Sequence, residues 1–361
     1  MKSTRKIEFG FELLRIVAAI ILAYALALIV LIAITDEPLE AVKMFAFGPF
    51  STKRRFFNII ELAIPFMFTG TCMCFMYSAN RFNLVGEGAF LFSGCITTLL
   101  AIKLEPLGIP SFLFPALLIV CGGIIGACIA FVPAILRQKL NANEVVVAIM
   151  MNYALLYLSN YILRVGMRDK AVTYNASTMI PTQAKLVQFL PGTRLHTGIF
   201  VALFAVMIAV VILYKTSLGY SIRVCGINPD FAKYSGISVA ASMVVAQMLG
   251  GMMAGMGGSV EILGIYDRFQ WDNLTQYGFD GLLVAVLAHK NPIFVPLSAF
   301  LLAYLRIGAD VVNRSTDVPA EFVSVLQAII ILLIAAQMFL GSIKNKVIFK
   351  NARAQLKEDK A

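Results

Sequence analysis

The sequence predicts an all-α, polytopic membrane protein with about 8–10 transmembrane helices, some of them short or broken. Three observations carry this prediction. Of 361 residues, 60% are hydrophobic and only 14% are charged, whereas ordinary globular domains carry roughly 25% charged residues. Apolar runs long enough to cross a bilayer recur along the whole chain. The basic residues behind the net charge of +10 gather at the chain ends and in loops flanking those runs. Lipid headgroups account for basic residues so placed, which makes membrane lipid a partner and gives nucleic acid no support.

The first fifteen residues, with Lys2, Arg5, Lys6 and Arg15, precede an apolar run over residues 16–34. It is too long for a signal-peptide core and lacks a following A-x-A site, so it reads as a retained first span with its amino end inside. Residues 41–57 form an amphipathic connector in which Lys53, Arg54 and Arg55 fall outside, against the usual trend. Residues 58–78 return inward. Next comes a span to Ile102 whose first turns are interrupted by Gly86, Glu87 and Gly88, a glycine-flanked carboxylate that rarely faces lipid. Residues 107–136 form a glycine-punctuated span ending inside at Arg137 and Lys139. From Asn141 the chain runs outward again, and residues 164–196 make the longest external loop. A span over 197–214 leads inward to a polar island at 215–236, and 239–263 carries the small-residue spacing Gly251/Gly255 and Ala254/Gly258, which demands close packing. The segment from Gly278 to Lys290 is too short for an ordinary crossing and looks like a broken helix. Spans over 292–308 and 322–340 complete the chain, and Lys344, Lys346, Lys350 and Arg353 place the end inside.

The island at 215–236 has a physical signature of its own. Asn228 is a helix cap, Pro229 suits the first helical position, Asp230 complements the positive helix start, and Gly236 is the stop. Phe231 and Tyr234 lie three apart on one face, and Asp230 with Lys233 makes another face polar. So short a helix needs something to pack against. Either the rest of the chain supplies it, or a partner docks from the cytoplasm.

Polar groups unfavourable in lipid mark the candidate path: Glu87, Asn143, Glu144, Asn152, Glu261 and Asp280, with Phe279, Phe82 or Tyr153 offering flat apolar faces. The competing reading is that Glu87 and Asp280 cap interrupted helices and that Asn143 and Glu144 only cap the fifth span. Residues 83–94 and 278–288 each place glycine, a carboxylate and glycine at the start of an apolar run, which suggests an internal repeat.

The segments FNLVGEGAFLFSG, NEVVVAIMMNY, LGYSIRVCGINPDFAKYSGI and GFDGLLVAVLAHKNPIFVPLSAFLLAYLRIGAD, in this order, resemble the permease subunits of bacterial ABC importers for nucleosides. That branch belongs to the group that also serves ribose-type sugars and branched-chain amino acids. The resemblance implies a single permease domain over residues 1–361, with a cytoplasmic amino end at 1–15, an external loop at 164–196, a cytoplasmic coupling loop at 215–236 and a cytoplasmic tail at 342–361. It implies a multi-pass protein of the bacterial plasma membrane, both termini cytoplasmic, that forms the path for nucleosides or related sugar-containing solutes. It also implies three partners: an ABC ATPase subunit, a second homologous permease subunit, and an external substrate-binding protein or lipoprotein. Path residues are then Glu87, Asn143, Glu144, Asn152, Phe279 and Asp280; ATPase coupling falls to Arg223, Asn228, Pro229, Asp230, Phe231, Lys233, Tyr234 and Gly236. The chain departs from the group at Ala89, where an amide is usual, and at Leu287, Ala288, His289 and Lys290, where an LLG-like sequence is usual, which leaves the substrate open more than the class. No GxxxxGK[ST] loop occurs in the sequence, so ATP hydrolysis is expected in a separate subunit and the chain itself is expected to be no enzyme. No cofactor or metal site is expected: six cysteines lack paired CxxC spacing and there are only two histidines. The alternative is a secondary transporter driven by an ion gradient, in which broken helices and buried carboxylates are equally at home.

Overall fold

The computed structural model describes residues 38–190 and 192–315, together with Ile32. The predicted spans at 16–34 (Ile32 apart) and 322–340 and the two chain ends lie outside the described residues. Among those described, the helices in chain order are α1 (Pro38–Phe47), α2 (Lys53–Ser78), α3 (Gly86–Leu104), α4 (Leu113–Leu140), α5 (Glu144–Ile162), α6 (Gly198–Lys215), α7 (Ser217–Ile227), α8 (Pro229–Tyr234), α9 (Val239–Ile265), α10 (Tyr277–Leu287) and α11 (Val295–Ser315). No strand forms among the described residues, only isolated bridges between Arg168 and Ser177 and between Gln188 and His196. Among the described residues, seven helical segments are long and apolar enough to cross a bilayer: Lys53–Ser78, Gly86–Leu107, Leu113–Leu140, Glu144–Met167, Gly198–Lys215, Val239–Ile265 and Pro292–Ser315. The fold is therefore all-helical, and α10, with 11 residues, is the short element that the sequence anticipates.

The chain divides into two units, Thr52–Tyr304 and a second built from Met1–Ser51 and Leu305–Ala361. In the second, the described pieces are α1, the 3-10 turn Gly48–Phe50 and the end of α11; a Cβ on Gly48 would stand 2.6 Å from a Val311 methyl, so only glycine fits there.

Within Thr52–Tyr304, α9 is the organising helix and packs against α2, α3 and α4. Its small residues explain why. Gly126 of α4 meets the Gly251 carbonyl, Gly255 of α9 meets the Gly122 carbonyl, and Gly258 meets the Phe90 carbonyl of α3, each where an added Cβ would clash. Helices in a bilayer gain no hydrophobic benefit from pairing, so close backbone approach and dispersion contacts supply the attraction. The 122/126 and 251/255 spacings seen in the sequence are thus the two sides of one contact.

Several boundaries differ from the sequence reading for local reasons. Lys53, Arg54 and Arg55 are the first turn of α2 rather than a connector, because the Thr52 hydroxyl caps it by accepting from the Arg55 N–H at 3.3 Å. The fourth-helix start moves from 107 to Leu113, past the left-handed turn at Gly108. Its end runs on to Leu140, where Arg137 and Lys139 suit the negative helix terminus and Asn141 (φ 53°) closes it. The island is two helices, α7 and α8, not one.

Candidate functional site

Two places gather the predicted residues. The first lies where α3 and α10 start. Their amino-terminal ends abut, since a Cβ on Gly278 would strike the Glu87 backbone. Two positive helix ends in contact need an acceptor between them. Glu87, fully buried, supplies it: Oε1 accepts from the Thr275 hydroxyl at 2.9 Å and the Gln276 N–H at 2.7 Å, and Oε2 accepts from the Gly278 N–H at 2.7 Å. The carboxylate at the start of α3 therefore caps α10. The start of α3 is served by a third helix: Asn152 of α5 accepts from the Gly88 N–H at 2.9 Å through Oδ1 and donates to the Leu84 carbonyl at 3.0 Å. Gln276, just before α10, is held at φ +67°, a conformation that non-glycine residues rarely adopt. Asp280 sits in the first turn of α10, 6% exposed, and Phe279 beside it is half-buried. Phe66 and Phe90 pack on Tyr277, the Phe90 and Tyr277 centroids 5.2 Å apart, and Trp271 stacks on Phe90 at 5.8 Å. The Tyr277 hydroxyl donates to Glu261 at 3.1 Å.

Asn143 is exposed and caps α5, accepting from the Val145 N–H at 3.0 Å. Its neighbour Glu144 does something else. It pairs with Arg81 at 3.6 Å and accepts from Gln247 at 3.3 Å; Gln247 in turn accepts from Asn83 at 2.6 Å, and Asn83 accepts from the Val85 N–H at 3.0 Å. This buried chain of polar groups ties the turn before α3 to α5 and α9. Phe82 and Tyr153 are exposed.

The second place is the α7–α8 pair. The Asn228 side chain accepts from the Phe231 N–H at 3.0 Å, Pro229 occupies the first turn, and Gly236 (φ +78°) with Ile237 closes the helix, the Ile237 N–H donating to the Ala232 carbonyl at 2.9 Å. Ala232 is the face turned inward, buried with Cys225 and Met243. Phe231 and Tyr234 point the other way, 56% and 92% exposed, beside Ile227 at 85%. Asp230 and Lys233 are exposed as well. A six-residue helix is thus held rigidly from behind while presenting apolar side chains outward. α7 is anchored too: a Cβ on Gly226 would strike the Ser78 carbonyl at the end of α2, and one on Gly219 the Leu213 carbonyl of α6. Arg223 folds back over the Tyr214 ring at 5.1 Å, away from α8's aromatic face. Met243, which packs on Ala232, also receives the Arg81 guanidinium at 2.6 Å. The α8 anchor and the Glu144 network therefore share one side chain.

The loop 164–196 is laced to the segment between α9 and α10. Ser177 N–H donates to the Phe269 carbonyl at 3.0 Å and Ile180 N–H to the Asp267 carbonyl at 2.9 Å, while Lys185 pairs with Asp267 and Arg268 with Asp169 at 2.6 Å. The Ala171 N–H and then Arg268 hold the Asp169 carboxyl below its ordinary range. Among the described residues no group of three or more His, Cys, Asp or Glu is placed to hold a metal.

Sequence reasoning missed Asn83, Gln247, Thr275, Gln276 and the aromatic set around Tyr277. Gln247, an amide in the middle of an apolar run, was the available signal; the others owe their roles to partners far away in the chain.

The family described as branched-chain amino acid transport system, permease component, matches residues 55–335. The chain is 30% identical over 297 residues to a guanosine ABC transporter permease protein of Bacillus subtilis, covering 80% of this chain and 84% of that one. It is 27% identical to a nucleoside ABC transporter permease protein of Lactococcus lactis (95% and 96% covered), and 26% identical to a glucose ABC transporter permease protein of Haloferax volcanii (92% and 88%). No solved structure gives a significant match.

Proposed function

The chain belongs to the branched-chain amino acid transport system permease family, and from this premise we infer that, as the permease subunit of an ABC importer, it carries nucleosides. It is the membrane component, not itself catalytic. Support for the cargo comes from the guanosine and nucleoside permeases among its relatives; the glucose permease at similar identity shows that the family's cargo varies. We place the path along Glu87, Asn152, Phe279 and Asp280 at the α3–α10 junction, with Asn143 and Glu144 towards the other end of α5. Polar groups there would meet ribose hydroxyls and base edges, while the aromatic residues offer flat faces.

The observation that carries the coupling mechanism is the exposed face of α8. Apolar Ile227, Phe231 and Tyr234 on a capped, back-anchored tip fit a groove in an ATPase subunit. Closure of that subunit around ATP then pushes a rigid body, and the push reaches Met243, Arg81 and the Glu144–Gln247–Asn83 network at the entry to α3. Arg223, Asn228, Pro229, Asp230, Lys233 and Gly236 shape and support the tip. On this reading the α7–α8 side faces the cytoplasm of a bacterial cell, a second permease subunit completes the channel, and an external binding protein delivers cargo to the opposite face.

Uptake into proteoliposomes tests the cargo. With the ATPase and binding protein present, labelled guanosine is taken up only when ATP is supplied, and excess glucose does not compete. Competition by glucose equal to that by unlabelled guanosine overturns the nucleoside assignment.

A further inference from the structure

We propose that the cleft between the ends of α3 and α5 binds the phosphate-bearing headgroup of an anionic phospholipid. This cleft, of about 620 Å³, is lined by Lys103 at the end of α3, by Arg164 and Arg168 in and after the π-helical turn Leu163–Met167, and by Lys170, and among the described residues no carboxylate lines it. All four cations are exposed. The acid that lies among them in sequence, Asp169, is already engaged by Arg268 at 2.6 Å and does not neutralise them. Four like charges around one concavity repel one another, and an anion offsets that repulsion. Arg164 stands in the π turn and Arg168 is the extended residue that follows it, and both line the cleft.

Position and lining select a lipid over a free anion. The cleft sits at the ends of two segments long enough to cross the bilayer, Gly86–Leu107 and Glu144–Met167, at the level where headgroups lie. Val165, in the cleft wall, is 70% exposed, and Tyr161 one turn below it is 63% exposed. An acyl chain would cover those apolar surfaces on its way along α5; an inorganic phosphate would leave them bare. The proposal does not depend on the cargo or on the ATPase.

The test uses the full-length chain, with the subunits that purify with it, in nanodiscs of mixed phosphatidylglycerol and phosphatidylethanolamine, scored by native mass spectrometry of retained lipid. The intact protein retains phosphatidylglycerol in preference. Arg164→Gln with Arg168→Gln lowers that retention about tenfold, given the electrostatic worth of a basic residue near a headgroup. Lys53→Gln with Arg54→Gln, which removes the same charge at the start of α2, leaves it unchanged. If the glutamine variant is poorly folded, Arg164→Lys with Arg168→Lys keeps the charge and must keep the lipid. Equal retention by the intact and glutamine proteins overturns the proposal. So does displacement of the lipid by excess inorganic phosphate, which would make this a free-anion site, or loss of binding-protein capture with lipid retention unchanged, which would make it a protein-docking surface.

Discussion

Glu87 caps a helix that begins 190 residues further along the chain, and this decides what its removal should do. Glu87→Gln keeps the shape but puts an amide N–H₂ in place of one carboxylate oxygen, facing at least one of the three donors, so the folded state should lose about 2 kcal/mol. Thermal unfolding in detergent reads it. A raised KM for cargo beside the lost stability would show the carboxylate meeting substrate as well as capping α10; unchanged stability would overturn the capping role. His196 offers a second residue-scale test. Its ring is buried in the loop before α6, Nδ1 accepting from the Gly198 N–H at 3.1 Å, which leaves the proton on Nε2, where no described residue accepts it. Burial pushes the imidazole from 6.5 down to about 4. The unfolded chain takes up a proton below the ordinary value while the folded protein resists, so stability falls as pH drops through that window, by up to about 3 kcal/mol. A pH series of unfolding temperatures should show this slope, and replacement of His196 by Gln should flatten it. At this scale the sequence showed which groups are costly to bury, such as Glu87, Asn152 and Glu144, because intramembrane polarity is visible in one dimension. It did not show their partners, since Asn152–Gly88, Glu87–Gly278 and Gln247–Asn83 pair across dozens to hundreds of positions.

At the scale of elements, α8 was the most legible: cap, proline, acid and glycine stand at their helix-specific spacing, and the structure forms a helix over Pro229–Tyr234. Its neighbour α7 was not, because SLGYSIRVCGI has two glycines and no strong apolar stripe; the Thr216 cap and contacts with α2 and α6 make it helical. Asn228→Ala removes a cap worth about 1 kcal/mol and should loosen α8 locally, raising amide exchange at Phe231 and Ala232 without lowering global stability. The glycine contacts of α9 predict a harsher effect. Gly255→Leu drives a side chain into the Gly122 carbonyl and should prevent α4 and α9 from docking, seen as aggregation on size-exclusion chromatography, whereas Met256→Leu should be tolerated.

For the whole molecule, class and helical architecture followed from apolar run lengths and the four ordered segments. The order of packing did not, because glycine frequency alone does not say which helices approach. In the proposed mechanism α8 transmits the work of a separate ATPase through Met243 to the network at the entry of α3. The most direct measurement is nucleoside-stimulated ATP hydrolysis by the purified complex, comparing the intact chain with Phe231→Asp plus Tyr234→Asp and with Met243→Ala. The aspartate variant should no longer co-purify with the ATPase. The Met243 variant should keep the ATPase and hydrolyse ATP, but with stimulation by nucleoside reduced about tenfold. A chain that purifies without any ATPase and moves nucleoside under an ion gradient alone would overturn this coupling.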